Sequence, residues 1–167
     1  MRRRDVTSAA EMRDAVVAEF EAATILLMAA AVADYRPARV AQEKLKKGSG
    51  RLVLELERTV DILAELAPRK HTRIVVGFAA ETEHVVANAE RKLTEKDLDL
   101  IVANDVGGTD TGFAVETNAV TMIDRGGRHE TVPLMSKDAV ADRILDRVVG
   151  IRHERPATRS ANVAQWT

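Results

Sequence analysis

The sequence predicts an α/β fold of the Rossmann-like type: a mainly parallel sheet flanked by helices, with a β-hairpin near the C-terminus. Three observations predict it. Apolar runs at Thr24–Ala30, Ile74–Ala80 and, interrupted only by Asp99, Leu98–Ala103 read as strands covered on both faces. Stretches with helical periodicity alternate with those runs, the pattern of strand–helix–strand units. Two further strand-like runs, Val120–Ile123 and Glu130–Leu134, are joined around Gly126-Gly127, a turn signal.

Taken in order, Ser8-Ala9-Ala10-Glu11 fits a capping box, and Met12, Val16, Val17 and Phe20 recur at helical spacing, so a helix is predicted over Ser8–Ala22. The first strand ends in three alanines, Ala29 to Ala31. These read either as tight helix-on-sheet packing or as room for a ligand against the backbone. Pro37 to Gly50 is polar and without period, and is predicted as a flexible loop. Arg51 to Glu57 alternates apolar and polar residues like a half-exposed strand. Asp61 then caps a short helix closed by Pro68. After the second buried strand, Thr82 is the expected cap of a helix whose inner face is Val85, Val86, Ala89 and Leu93. The third strand ends at Asn104-Asp105, and Gly107 to Gly112 reads as a loop. Ser136 caps a last helix on Val140, Ile144 and Val148. One domain is therefore predicted over residues 1–150, with a polar, disordered tail over 151–167.

The fold is predicted to be incomplete at its N-terminus. The chain starts on a helix, without the strand and Gly-rich turn that usually cradle phosphates, and contains neither G-x-G-x-x-G nor a Walker A sequence. Composition narrows the function classes. With aromatics at 3% and a net charge of -1, there is neither a set of stacking platforms nor a global field for nucleic acid or anionic membrane. The absence of cysteine removes disulfide, thiol-nucleophile and thiolate-metal chemistry, and is compatible with the cytoplasm. No apolar run reaches the roughly 20 residues of a membrane span, and the start lacks an apolar signal region. The four histidines are scattered without metal-ligand spacing.

The residues that could carry chemistry each have a bland reading as well. Lys44, Lys46 and Lys47 are a solvated charge run or a lid whose ammonium groups close over a polyphosphate. Asp34 is a solvent-facing acid at a strand end or a ligand contact. Asp61 is a helix cap or part of an anion site. Lys92 and Lys96, four apart, are surface lysines or phosphate contacts, and Phe78 fills core or meets a ligand.

Together, A-A-A-V-A-D-Y-R-P, E-K-L-K-K, V-D-I-L, V-G-F-A-A-E-T, the L-I-V-A-N-D-V run and the later N-A-V resemble phosphopantothenoylcysteine synthetase over Val6 to Val149. The resemblance implies a ligase of coenzyme A biosynthesis, often fused to a flavin-dependent decarboxylase. The 4′-phosphopantothenate carboxylate would attack the α-phosphate of CTP, giving an acyl-cytidylate and pyrophosphate. The cysteine amine would then displace CMP to form the amide, with Mg²⁺ accompanying the triphosphate. Carried over by position, Lys44 matches the lysine of the covering loop and is the implied catalytic residue. Met28, Ala29 and Ala30 match backbone contacts to the base, and Asp34 a side chain of the nucleotide site. Val60, Asp61, Ile62 and Leu63 match the turn at the nucleotide, where Thr59-Val60 replaces the usual Asn-Pro. Phe78, Lys92 and Lys96 match further nucleotide contacts, and Arg51–Glu57 matches the region through which family members form homodimers. The family's opening strand, Gly-rich turn and Asn-bearing segment have no counterpart, so this chain alone is expected to bind CTP weakly and to ligate poorly. The rival expectation is a non-catalytic nucleotide-binding or dimerisation module. A Rossmann-type oxidoreductase is disfavoured by the missing glycine fingerprint.

Overall fold

The computed structural model describes residues 2–46, 51–81, 84–105 and 116–155. Helix α1 (Ala9–Phe20) opens the chain, followed by β1 (Ile25–Met28), β2 (Tyr35–Pro37) and β3 (Leu56–Arg58). Next come α2 (Ile62–Leu66), a 3₁₀ turn (Ala67–Arg69), β4 (Ile74–Glu81) and α3 (Val85–Glu95). The chain then runs through β5 (Leu100–Asp105), β6 (Thr117–Asp124), β7 (His129–Ser136) and α4 (Lys137–Glu154). The main sheet has the order β1-β4-β5-β6-β7. Strands β1, β4 and β5 are parallel, and the β6–β7 hairpin continues the sheet in antiparallel sense. This is the predicted Rossmann-like α/β architecture, with a parallel core and a hairpin extension.

The apolar runs of β4 and β5 make sense because their alternate residues serve two cores. Val75 and Ile101 face Phe20 of α1, Ile62 and Leu66 of α2, and Ala89 and Leu93 of α3. Val76, Leu100 and Val102 face Val140, Ile144 and Val148 of α4. Full burial of a side chain such as Phe20 contributes about 1.5–3 kcal/mol. Arg73 stacks over the Phe20 ring, 5.0 Å from its centroid, and its guanidinium donates to the carbonyls of Phe20 and Glu21 at the end of α1. Gly77 allows close packing: a Cβ there would lie 2.6 Å from Leu98 Cδ1. Gly127, with φ of 82°, turns the β6–β7 hairpin.

Several boundaries differ from the sequence-based expectation, each for a local reason. The Ser8 hydroxyl caps α1 as expected, and the Glu11 carboxylate accepts chiefly from the Thr7 N–H and hydroxyl, with the Ser8 amide a lesser contributor; α1 stops at Phe20. Strand β1 ends at Met28, so the alanine run lies beyond it. Tyr35–Pro37, which runs into the predicted loop at Pro37, pairs antiparallel with β3, and of the alternating segment only Leu56 and Glu57 are strand, β3 continuing to Arg58. Pro68 does not end the helical path; it sits at the start of the 3₁₀ turn, where its missing N–H costs nothing. Thr82, Lys47 to Gly50, Gly107 to Gly112 and the tail from residue 156 lie outside the described residues. The N-cap of α3 is His84, in left-handed conformation with φ of 49° and no side-chain bond. Val86 is exposed rather than on the inner face. Helix α4 continues through Gly150 to Glu154, beyond the expected domain end. No described helix is long and apolar enough to cross a membrane.

Candidate functional site

The parallel strands deliver the site. Where β1 and β4 end, the chain opens a cleft of about 330 Å³ walled by four separate stretches, residues 28–34, 59–63, 78–80 and 92–96. Open α/β sheets bind ligands at this position, outside the carboxyl ends of their strands. The turn after β1 is pinned to the segment before α2: the Thr59 N–H donates to Asp34 O at 2.9 Å, and the Thr59 hydroxyl donates to Ala33 O. Thr59 thereby sets the distance between the Asp34 wall and the Asp61 wall. Asp61 is the N-cap of α2, accepting from Ala64 N at 3.1 Å. Across the cleft, Lys96 at the C-cap of α3 brings its Nζ to 2.8 Å from Asp61 Oδ2. Burial pushes the Asp61 carboxyl up, but the Lys96 ammonium and the Ala64 amide outweigh it and hold it below the ordinary carboxylate range.

The cleft brings together Met28, Ala30 and Asp34 with Val60, Asp61, Ile62 and Leu63. Phe78, Lys92 and Lys96 complete its lining. Ala29 instead faces a neighbouring cleft on the other side of the alanine run. Lys44 is exposed and does not line the cleft; Lys46 is likewise exposed, and Lys47 is outside the described residues. Chemically, two ammonium groups and two carboxylates surround a floor of small apolar side chains. That set can hold an anionic ligand while selecting its hydrogen-bond donors. No group of three His, Asp or Glu among the described residues could hold a metal ion. A Mg²⁺ carried on a triphosphate needs no such cage, since that ion commonly keeps its waters and phosphate ligands.

Two residues here were not singled out from the sequence. Thr59 acts through a pairing with residues 26 positions away, which no local pattern announces. Asn104, near the end of β5, has a buried Oδ1 to which no described residue donates. Its signal was only that a polar side chain follows a run of four apolar residues. A larger groove, about 680 Å³, runs beneath Arg2 to Arg4 against α1 and Leu26. It lies at the amino end of β1, away from the carboxyl ends of the strands, and its charges are Arg2 to Arg4 with Glu19, which pairs with Arg2 at 3.0 Å.

Comparison with known proteins agrees with this fold. Residues 1–151 match the family described as DNA/pantothenate metabolism flavoprotein C-terminal domain. The coenzyme A biosynthesis bifunctional protein CoaBC of Bacillus subtilis (strain 168) is 47% identical over 146 residues, 87% of this chain and 36% of that protein. CoaBC of Escherichia coli (strain K12) is 40% identical over 153 residues, 89% of this chain and 37% of that protein. The chain thus spans little more than a third of the length of these relatives. The crystal structure of the C-terminal domain of CoaBC superposes with a TM-score of 0.73 at 37% identity, covering 90% of this chain and 65% of that one. A Cab2 mutant in complex with phosphopantothenate-cysteine shares the fold, with a TM-score of 0.69 at 17% identity over 89% of this chain and 53% of that one. The chain belongs to the DNA/pantothenate metabolism flavoprotein C-terminal domain family.

Proposed function

We propose that this chain is the nucleotide-binding and dimerising part of a phosphopantothenate–cysteine ligase acting in coenzyme A biosynthesis. The observation that carries the reading is the convergence of Asp34, Asp61, Phe78, Lys92 and Lys96 on one cleft at the strand ends. In this reading the cleft takes CTP with its Mg²⁺. The backbone of Met28 to Ala30 meets the base, and Lys92 and Lys96 meet the phosphates. The carboxylate of 4′-phosphopantothenate attacks the α-phosphorus and pyrophosphate leaves; the cysteine amine then displaces CMP. A carboxylate is a poor electrophile until activated, and its attack on an anionic phosphate needs positioning and nearby cations. Lys44, on the exposed segment that follows β2, supplies a further cation when that segment folds over the cleft.

The homodimer is part of the same proposal. Leu52, Val53 and Leu54 are 69, 87 and 62% exposed, and Leu56, Tyr35 and Val40 add to the same β2–β3 arm. An apolar surface of this kind on a projecting ribbon suits a second copy of the chain. The matched relatives are named as bifunctional, which supports a flavin-dependent decarboxylase as companion domain.

The decisive assay follows pyrophosphate and amide product separately. Pyrophosphate release should require CTP and 4′-phosphopantothenate together, and amide product should require cysteine as well. CTP binding by the complete protein without pyrophosphate release under any substrate combination would make the family domain here a binding module instead. The expectation of poor turnover by the 167-residue chain is tested alongside, by comparing it with a polypeptide that includes the family's Gly-rich segment.

A further inference from the structure

The wall of the cleft that follows β1 has few ties of its own. Pairing with β4 ends at Met28, and β2 begins only at Tyr35. Among the described residues, the stretch 29–34 carries one internal hydrogen bond, from Val32 N–H to Ala30 O at 3.1 Å. The bonds that reach it from elsewhere both come from Thr59: its N–H donates to Asp34 O at 2.9 Å, and its hydroxyl donates to Ala33 O. Two residues further on, Asp61 is held by the Ala64 amide and the Lys96 ammonium. Thr59 also directly follows β3, whose Arg58 pairs with Tyr35. One half-buried side chain thus stands where both carboxylate walls and the foot of the β2–β3 ribbon meet. Its two bonds make different demands on the sequence. Any residue except proline supplies the amide, whereas the hydroxyl bond needs a donor on a short side chain.

We infer that Thr59 is a positioning residue of the cleft: its hydroxyl, by tying Ala33 to the turn before α2, holds the Asp34 wall at the spacing from Asp61 that the nucleotide requires. The inference rests on the nucleotide-binding reading above. Its physical basis is preorganisation. A wall that is free to lean must be ordered when a ligand enters, and that ordering is subtracted from the affinity. The same tie fixes where the segment bearing Lys44 leaves and rejoins the cleft, because that segment runs between β2 and β3.

Thr59→Val removes the hydroxyl while keeping the amide bond and the branched shape; Thr59→Ser keeps the hydroxyl. In ¹⁵N relaxation of the ligand-free 167-residue protein, backbone order parameters over residues 29–34 should fall in Thr59→Val and return in Thr59→Ser. In calorimetric titration of the complete protein, CTP should bind Thr59→Val about tenfold more weakly, and Thr59→Ser within about twofold of the parent. Tm should shift by no more than about 4 °C in either variant, the effect of one exposed bond in a chain of this size. Unchanged order parameters, parental CTP affinity in Thr59→Val, or equal losses in both variants would each overturn the inference. So would a loss of affinity that comes with a large fall in Tm, which would make Thr59 a folding contact. In those cases CTP binding by the parent leaves the nucleotide reading standing. A parent that binds no CTP removes the reading and the inference together.

Discussion

Lys96 and Asp61 join the C-terminus of α3 to the N-terminus of α2, with Nζ 2.8 Å from the carboxylate, and so bridge the mouth of the cleft. The bridge places a cation at the cleft in the absence of ligand and gives it a partner that a polyphosphate must share or displace. Because the ammonium addresses phosphate charge rather than base or ribose, Lys96→Ala should weaken CTP binding by about tenfold and CMP binding by clearly less. Calorimetric titration of both nucleotides measures the difference, and an equal loss for the two would refute the assignment of Lys96 to the phosphates.

Lys44 stands apart from the cleft, exposed on the segment after β2. If it closes over the reacting phosphate, Lys44→Gln removes the charge while keeping most of the reach. Turnover of the complete enzyme should fall by about 10²–10³-fold, in the range for loss of one transition-state donor. The thermal melt should not move, since no described contact of Lys44 is lost. Retained turnover would assign the lid role elsewhere.

Dimerisation has its own variant. Leu54 is largely exposed just before β3, so Leu54→Glu should leave the monomer fold unchanged and convert a dimer to monomer at micromolar concentration. Sedimentation equilibrium of both proteins decides it. A variant that sediments like the parent would place any interface on another surface.

Acid sensitivity should centre on Asp124. Its side chain is 3% exposed, accepts from Arg147 Nε at 3.0 Å and from Arg128 N at 3.1 Å, and ties β6 to α4. Burial pushes this carboxyl up, but Arg147 and the hairpin amides outweigh burial and hold it below the usual range. A depressed carboxyl contributes stability that is present above its unfolded value of about 4 and lost as pH falls through the lower folded value. Asp124→Ala, which leaves Arg147 with Glu154 at 2.9 Å as its remaining carboxylate and takes the acceptor from the Arg128 N–H, should cost about 1–3 kcal/mol at neutral pH. It should also flatten the acid limb of a plot of Tm against pH. An unchanged acid limb would move the acid sensitivity to other carboxylates.

The parts of this fold that could be read from the chain are those in which each residue carries its own instruction. Ile74 to Ala80 is apolar on both alternating faces because two layers of helix cover it, so strand, burial and position in the sheet follow together. Ser136 and Asp61 announce their helices because capping is decided within three residues. Thr59, by contrast, matters through Ala33 and Asp34, and β2 exists only because Arg58 returns to Tyr35. Those are pairings across a loop, invisible to local pattern. The start of α3 was misread because His84 occupies a left-handed conformation that propensity assigns more readily to Asn or Gly. At the site, residue types were legible while their grouping was not. Alanines 29, 30 and 31 are adjacent in sequence, yet the structure distributes them between two clefts.

Asp99 meets the Lys70 ammonium at 3.0 Å, the Val75 N–H at 2.8 Å and the Arg155 guanidinium, and Arg155 also donates to Thr72 O at 2.7 Å. One buried carboxylate therefore links the 3₁₀ turn, β4, the start of β5 and the end of α4. Helix ends ordinarily fray on their own, and their amides exchange with solvent by that local opening. Here the last turn of α4 cannot leave without pulling Arg155 away from the buried Asp99 and from Thr72 O. Its amides should exchange at rates close to those of β4 and β5, making the C-terminal helix part of the sheet's own cooperative unit.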